Sequence, residues 1–417
     1  MDTVDAVSRW SPFSKTATAS TTIFAYVVCF AYIANYIIAD KTSIYLSWTV
    51  LVAVCIKIIQ KGRVESLDFS LSLGLGYLIL VPSISSLLKK AGGTVIVAAI
   101  SLPLFDIIIT FVKHLHKGMV SRQSIRIGKN DFVLWIGLIA MTIINGAVFG
   151  SHSSGIVSLF VYSLPFSLSL VFFERICQKG KTLKIFIMLG IYGFSIYYYA
   201  IAYWSGFGRL MLGAYILIPL LIANSYRDIG LSVWQAVIIS PIAILGAGLI
   251  RDPGYSIDRL HEGSGAGHLA ITQEMLNTIE GRIVPGWSAY WDQIALILLQ
   301  WMPRDWWHNK PLGVGYTFVD DWLGRRGYGL EHNVATGYLG EQLYLLGDQA
   351  WFGLLISVSI LIIIRYTMTR VSKNYVSPII VFDTIFITYI WGGGAAFGAR
   401  FWFIAIPMIF LIHIIKK

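Results

Sequence analysis

The chain has 417 residues, of which 56% are hydrophobic and only 13% are charged, and its formal net charge is +10. Soluble proteins carry about 25% charged residues, so this composition excludes an ordinary soluble enzyme. The basic excess lies mostly in short connections between apolar runs, which makes it a signal of membrane topology and not of nucleic-acid binding. Membrane lipids are therefore expected around the chain, and no nucleic acid is.

Apolar stretches of about 18 residues or more are long enough to cross a bilayer as helices. The sequence predicts an all-α integral membrane protein with about 12 transmembrane helices, nine of them within residues 1–250 and three within residues 349–417. The segments lie near 22–39, 43–60, 68–88, 94–112, 131–150, 155–173, 184–203, 209–225, 231–250, 350–366, 376–391 and 398–415.

The distribution of basic residues predicts the orientation. Connections on the side of the amino terminus hold 20 of the 32 Lys and Arg residues, and the short connections on the opposite side hold 5. Because cytoplasmic loops attract Lys and Arg, both termini are expected in the cytoplasm and the long segment 251–348 on the outer face. The three cysteines fall in spans or on the cytoplasmic side, so neither a disulfide framework nor a Cys metal site is expected.

The segment 251–348 concentrates the polar chemistry of the chain. It contains 12 of the 22 carboxylates, 4 of the 8 histidines and 6 of the 14 tryptophans. A short helix is predicted over 269–280, and an apolar helix over 288–302 is too short to cross, so it is expected to be re-entrant or interfacial. A membrane protein with its polar residues gathered in one loop is expected to act at one face of the bilayer.

Two arginines are expected to begin apolar spans at the outer side. Arg209 in SGFGRL and Arg400 in FGARF each follow a Gly-rich turn. A charge at that depth is costly and tends to be functional, and the guanidinium fork suits the oxygens of a diphosphate. The alternative is that each arginine snorkels to the interface or pairs with a carboxylate.

Candidate residues also lie within the loop. Arg304 and Lys310 flank Trp306 and Trp307 in PRDWWHNKP, where flat indole rings would stack on sugars or, alternatively, form an interfacial aromatic belt. His332 in EHN suits a general base near neutral pH, although a lone histidine is more often structural. No metal site is assigned, because the histidine spacing HEGSGAGH is not one that zinc uses.

These features together resemble the Wzy-type polymerases of bacterial O-antigen and capsular repeat units. The resemblance depends on the many-span chain with one dominant outer loop, the SGFGRL turn, PRDWWHNKP and HNVATGYLGEQLYLLGDQAWFG. The Arg-x10-Gly pattern described for that family is matched by Arg304 to Gly315 and by Arg326 to Gly337.

The resemblance implies a GT-C-like glycosyltransferase of the bacterial inner membrane with a periplasmic loop. Such an enzyme moves a growing chain from one undecaprenyl diphosphate to a sugar hydroxyl of another lipid-linked repeat unit. It needs no cofactor, its partners are the lipid-linked oligosaccharides, and a chain-length regulator protein is a further candidate partner.

The resemblance also implies residue roles. Arg304 would be catalytic, His332 would be the base that takes the proton of the acceptor hydroxyl, and Glu341 would be the reserve base. The diphosphate would be bound by Arg209, Arg251, Lys310 and Arg400, and the glycan by Trp306, Trp307 and Trp322.

Other functions remain open at this point. An O-antigen ligase uses the same donor with a lipid A-core acceptor. A lipid-linked oligosaccharide flippase would bury charges inside its spans, whereas the predicted spans are nearly free of charge. A membrane acyltransferase would place His and acidic residues on or near the spans without such a loop.

Overall fold

The computed structural model describes residues 65–75, 156–179, 209–227, 229–239, 284–324, 334–372 and 375–415, with a few helical positions between 104 and 112 and at 136, 140, 190, 193 and 242. Within these residues the chain is helical and contains no strand, which confirms the all-α prediction for the described part. The chain divides into two compact units, residues 1–113 with 231–273 and residues 114–230 with 274–417.

The first unit contains α1 (Ser66–Leu75). The second unit contains α2 (Ile156–Lys179), α3 (Arg209–Arg227), α4 (Trp287–Leu299), α5 (Val314–Leu323), α6 (Gly337–Leu346), α7 (Ala350–Val371) and α8 (Ser377–Ile415). A single 3-10 turn, Gly347–Gln349, joins α6 to α7. Helix α4 lies where the sequence predicts the short apolar helix of the loop.

Two helical stretches are long and apolar enough to cross a membrane, Gly337–Val371 and Ser377–Ile414. Helix α7 alone has 22 residues, or about 33 Å at 1.5 Å per residue, which matches a hydrocarbon core of about 30 Å. Helices α2 and α3 coincide in the sequence with the spans predicted at 155–173 and 209–225. Most of the other predicted spans, and the helix predicted over 269–280, lie outside the described residues.

Helix α8 is a hairpin of two helices that meet at Gly393, where φ is 77° and ψ is −168°. The ring of Phe382 lies 5.5 Å from the ring of Phe397 and 5.5 Å from that of Phe401. In one straight helix, residues 382 and 401 would be about 28 Å apart, so the chain must reverse between them. We refer to residues 377–392 as α8a and to residues 394–415 as α8b. The sequence predicted two spans here, at 376–391 and 398–415.

Helix α6 folds back onto the first turns of α7. A Cβ atom at Gly353 would lie 2.5 Å from Cδ1 of Leu346 and 2.6 Å from Oε1 of Gln342, so the glycine allows the two helices to touch. The reversal is made at Gly347, whose φ of 54° favours glycine. The last part of the segment predicted as loop is therefore packed against α7 and α8.

A carboxylate from α2 holds the start of α8. The Glu174 carboxylate accepts hydrogen bonds from the backbone N–H groups of Val376, at 2.6 Å, and Ser377, at 2.9 Å. It also accepts one from the Tyr226 hydroxyl of α3, at 2.5 Å. The first amides of a helix have no partner inside the helix, so this contact both satisfies them and joins α2, α3 and α8.

A buried ion pair joins α7 to α8a. The Arg365 guanidinium donates from Nε to Oδ1 of Asp383, at 2.6 Å, and from Nη2 to Oδ2, at 3.0 Å. Arg365 is 5% exposed and Asp383 is 0% exposed. The spans were expected to be nearly free of charge, and these two helices share one buried pair of opposite charges.

We expect Asp383→Ala to lower the stability of the protein by about 3–5 kcal/mol, because it leaves a buried guanidinium without its counter-charge. The paired replacement Arg365→Met with Asp383→Leu should recover most of that loss, since it removes both charges. Thermal unfolding of the detergent-purified protein measures the effect, with Arg370→Met on the exposed side of α7 as the control. Equal loss in the single and the double variant would contradict this account.

Candidate functional site

The turn of α8 receives a second buried carboxylate, that of Glu341 from α6. Its Oε2 accepts a hydrogen bond of 2.6 Å from the backbone N–H of Gly394, the first residue of α8b. Glu341 is only 2% exposed. The amino-terminal end of a helix carries a partial positive charge, so an ionised carboxylate is stabilised in this position. Among the described residues, Gly394 is the one hydrogen-bond donor to this carboxylate.

Three glycines of the sequence WGGGAAFGAR make this contact possible. A Cβ atom at Gly393 would lie 1.6 Å from Oε2 of Glu341, and one at Gly394 would lie 2.6 Å from Cγ1 of Ile297. At Gly398, a Cβ atom would lie 2.2 Å from the backbone oxygen of Leu296. The absence of side chains therefore lets α4 and α6 approach the backbone of α8b directly.

Two tyrosines, Tyr290 of α4 and Tyr389 of α8a, lie near enough to Glu341 to interact with its charge. The Tyr290 hydroxyl donates to the backbone oxygen of Gly353, at 2.7 Å, and lies 3.0 Å from Oγ of Ser357. Tyr389 of α8a is fully buried. Burial raises the pKa of Tyr290 to about 12, and the negative charge of Glu341 acts in the same direction. Tyr290 therefore stays protonated and acts as a hydrogen-bond donor.

Arg400 lies on α8b, between one and two turns beyond Gly394. Its Nη1 donates to the backbone oxygen of Ala396, at 2.7 Å, so the side chain is directed back towards the turn of the hairpin. The residue is half-buried. The structure thus places one predicted diphosphate ligand, Arg400, and one predicted base, Glu341, at the same end of α8b.

Lys310 closes the carboxyl-terminal end of α4. Its ammonium group donates to the backbone oxygens of Gln300, at 2.6 Å, and Met302, at 2.9 Å. Burial, followed by the positive charge of Arg304, lowers the pKa of Lys310. Since the last carbonyl groups of a helix lack partners within the helix, the contacts of Lys310 are those of a capping residue.

The turn between α4 and α5 presents the other predicted residues. Arg304 is exposed and donates from Nη1 to the backbone oxygen of Lys310, at 2.8 Å. Trp306 is 71% exposed, whereas Trp307 is half-buried. The two adjacent tryptophans therefore have different surroundings, and only Trp306 presents most of its ring to a ligand.

The remaining predicted residues are only partly placed. Arg251 and His332 lie outside the described residues. Arg209 is the first residue of α3 and Trp322 belongs to α5, but their side chains lie outside the described part. Val334, two residues after His332, donates from its backbone nitrogen to the backbone oxygen of Gly315, at 3.4 Å. In the described parts of the chain, no three metal-binding side chains come together.

Sequence reasoning missed the polar neighbours of Glu341, namely Tyr290, Ser357 and Tyr389. The run of three glycines was read as an outer turn, and it also signals that a side chain from elsewhere approaches the backbone. The partner of that approach, Glu341, lies 53 residues away in the chain. The chain matches no protein-family model, no curated protein and no solved structure.

We expect Gly393→Ala to lower the unfolding temperature more than Gly230→Ala. Both glycines have a φ of 77°, which disfavours any side chain, but a Cβ atom meets nothing within 4 Å at Gly230 and meets Glu341 at Gly393. Thermal unfolding in detergent measures the difference. Adding Glu341→Ala to Gly393→Ala should recover part of the loss, and equal shifts for the two glycine variants would show that the close contact is unimportant.

We expect Lys310→Met to loosen the end of α4, because two backbone carbonyl groups lose their donor. Amide hydrogen exchange of residues 300–310 should become at least several-fold faster, while exchange in α7 stays unchanged. Arg304→Met removes only one hydrogen bond and should have a smaller effect. Unchanged exchange in Lys310→Met would argue against the capping role.

Proposed function

We propose that the chain is a membrane glycosyltransferase that polymerises undecaprenyl-diphosphate-linked oligosaccharide repeat units into an O-antigen or capsular polysaccharide. The proposal includes about 12 spans in the inner membrane, cytoplasmic termini and a periplasmic loop over residues 251–348. It is supported above all by one observation: the buried Glu341 carboxylate meets the turn of α8 on the helix that carries Arg400.

The reaction requires three kinds of group. A hydroxyl oxygen of the acceptor sugar forms a bond to the anomeric carbon of the growing chain, and the bond from that carbon to the diphosphate oxygen breaks. The undecaprenyl diphosphate leaves with the electron pair, and the hydroxyl proton passes to a base. The protein must therefore supply a base, cations for the leaving group and a surface for the sugars.

The two buried carboxylates at the starts of α8a and α8b differ in a way that supports Glu341 as the base. Glu174 accepts three hydrogen bonds, which fits a purely structural cap. Glu341 accepts one hydrogen bond from the described residues, so it retains the capacity to accept a proton from a hydroxyl. His332 remains the other candidate for this role.

The proposed cations differ in what their charged groups contact and where these groups are directed. The ammonium group of Lys310 is engaged with two backbone oxygens, which leaves one of its three protons for a ligand. Arg400 is directed towards the turn that holds Glu341, so it suits the diphosphate better. Arg209 and Arg251 complete the proposed diphosphate ligands, and the exposed Arg304 would stabilise the charge of the leaving group.

A flippase is the second candidate function, because the Arg365–Asp383 pair places charges within two long apolar helices. The non-helical backbone at Gly393, between α8a and α8b, also resembles the interrupted helices at which transporters bind their substrates. A ligase differs from a polymerase only in its acceptor. These candidates are separated by the product that the purified protein makes.

The deciding experiment incubates the purified full-length protein with one defined undecaprenyl-diphosphate-linked repeat unit. A polymerase gives a ladder of glycans that differ by one unit, whereas a ligase gives product only when lipid A-core is added. In vesicles, a flippase moves the lipid-linked unit across the membrane without extending it. Cells that lack the gene should correspondingly carry single repeat units on core, and complete loss of surface glycan would favour the other two functions.

We expect Glu341→Gln to reduce ladder formation by about 100-fold or more, which is the usual contribution of a general base. The amide oxygen still accepts the hydrogen bond from Gly394, so the fold should persist. Asp348→Asn, on the exposed turn before α7, is the matched control.

Arg400→Lys tests whether the reaction needs the two-pronged guanidinium group or only a positive charge, with Arg370→Lys as its control.

His332→Ala, Arg304→Ala and Arg209→Lys belong in the same assay. A ladder from His332→Ala and none from Glu341→Gln would identify Glu341 as the base, and the reverse result would identify His332. Wild-type ladders from both variants would refute the acid–base assignment.

A further inference from the structure

The tip of the turn between α4 and α5 is held in a fixed shape. The backbone nitrogens of Trp306 and Trp307 donate to the oxygen of Pro303, at 3.2 and 3.0 Å. The backbone nitrogen of Lys310 donates to the oxygen of Trp307, at 3.0 Å, and the Lys310 side chain ties the turn to the end of α4. The tip is therefore a turn ordered by its own hydrogen bonds, and it presents its side chains in a defined arrangement.

The side chain of Trp306, unlike its backbone, makes no hydrogen bond that holds this shape among the described residues. The indole N–H groups of Trp287, Trp301 and Trp402 all donate to protein oxygens, at 2.6, 3.2 and 2.7 Å. Trp306 is 71% exposed, and its indole nitrogen has no partner among the described residues. A large aromatic ring that the rest of the protein leaves uncovered on an ordered turn contributes little to folding and is available to a ligand.

The neighbours of Trp306 indicate what kind of ligand fits. Asp305, His308 and Asn309 are exposed around it, and among the described residues none of them has a hydrogen-bond partner. They offer a carboxylate, an imidazole and an amide, which together donate and accept hydrogen bonds. With Arg304 also exposed, the tip has no single sign of charge that would select an anion or a cation. A lipid tail is equally unsuited, because it cannot satisfy these polar groups.

We propose that the tip of this turn is a pyranose-binding subsite, in which the apolar face of one sugar stacks on Trp306 and its hydroxyl groups bond to Asp305, His308 and Asn309. The inference rests on the proposed function and names a part of the glycan that the polymerase would hold. Trp307, which is half-buried, belongs to the scaffold of the turn and not to the subsite. Asp305, His308 and Asn309 determine which sugar is accepted, since they alone read the positions of its hydroxyl groups.

Binding is measured without any transfer reaction. The probe is the oligosaccharide repeat unit released by mild acid from the surface polysaccharide of the producing cells, titrated into the detergent-purified full-length protein by calorimetry. Trp306→Ala should weaken binding by about tenfold or more, equivalent to about 1.4 kcal/mol, which is typical of a tryptophan at the centre of a site. Trp306→Tyr should retain most of the affinity, because it keeps an aromatic face. Asp305→Asn and Asn309→Ala should each weaken binding several-fold.

Trp291→Ala is the matched control, because Trp291 is 52% exposed on α4, away from the tip, and should leave the affinity unchanged. The proposal is overturned if the wild type does not bind the oligosaccharide, or if Trp306→Ala weakens binding no more than Trp291→Ala does. It also fails if brominated phospholipids in a nanodisc quench the fluorescence of Trp306, as judged by the difference between the wild type and Trp306→Phe, since the ring would then lie in lipid.

The outcomes separate this inference from the proposed function. Binding that depends on Trp306, without any ladder from the lipid-linked unit, would keep the subsite and refute the polymerase. A ladder together with affinity that is unchanged in Trp306→Ala would keep the polymerase and refute the subsite.

Discussion

The hydrogen bond from the Gly394 amide to the Glu341 carboxylate fixes the arrangement of α4, α6 and α8. The chain reverses at Gly393, so α8b begins inside the protein with amide groups that no preceding turn of helix can satisfy. Leaving such a group unsatisfied away from water costs several kcal/mol. A carboxylate from α6 meets this need, and its charge complements the partial positive charge of the helix end.

The approach of that carboxylate constrains the surrounding sequence. Residue 393 cannot carry a side chain, because a Cβ atom would occupy the position of the Glu341 oxygen. Gly394 and Gly398 are constrained in the same way by α4, whose Ile297 and Leu296 press on the backbone of α8b. The Trp402 side chain then donates to the backbone oxygen of Ile297, at 2.7 Å, and ties α4 to α8b from the other direction.

Both halves of α8 begin on a glutamate supplied by another helix. Glu174 of α2 serves α8a, and Glu341 of α6 serves α8b. Capping between helices fixes their relative positions more strictly than apolar packing alone, because a hydrogen bond depends on direction and hydrophobic contact does not. The two carboxylates differ in the number of hydrogen bonds that they accept. Glu174 has three donors, whereas one of the described residues donates to Glu341.

The sequence predicts the apolar helices of this region because hydrophobic length is a property of the local chain. It also identifies the Gly-rich turn before Arg400 and the short helix that becomes α4. It could not predict the contact between residues 341 and 394, which depends on how distant helices pack. The contacts of Lys310 with the carbonyl groups that it caps could not be predicted for a similar reason, since they depend on how the turn after α4 folds. The pairing of Arg365 with Asp383 was likewise not predictable, because the two residues lie on different helices.

The buried charged groups of the described helices differ in how many hydrogen bonds they make. This difference bears on the choice between a transporter and a glycosyltransferase. The Arg365–Asp383 pair is bidentate and buried, so separating it would expose two charges to an apolar surrounding at a cost of several kcal/mol. A pair of that kind holds α7 against α8a. Glu341 is the buried carboxylate with spare accepting capacity, and it lies where α8 changes direction, close to Tyr290 and on the helix of Arg400. A buried carboxylate held at the turn of α8 in this way suits the proposed transfer reaction better than translocation.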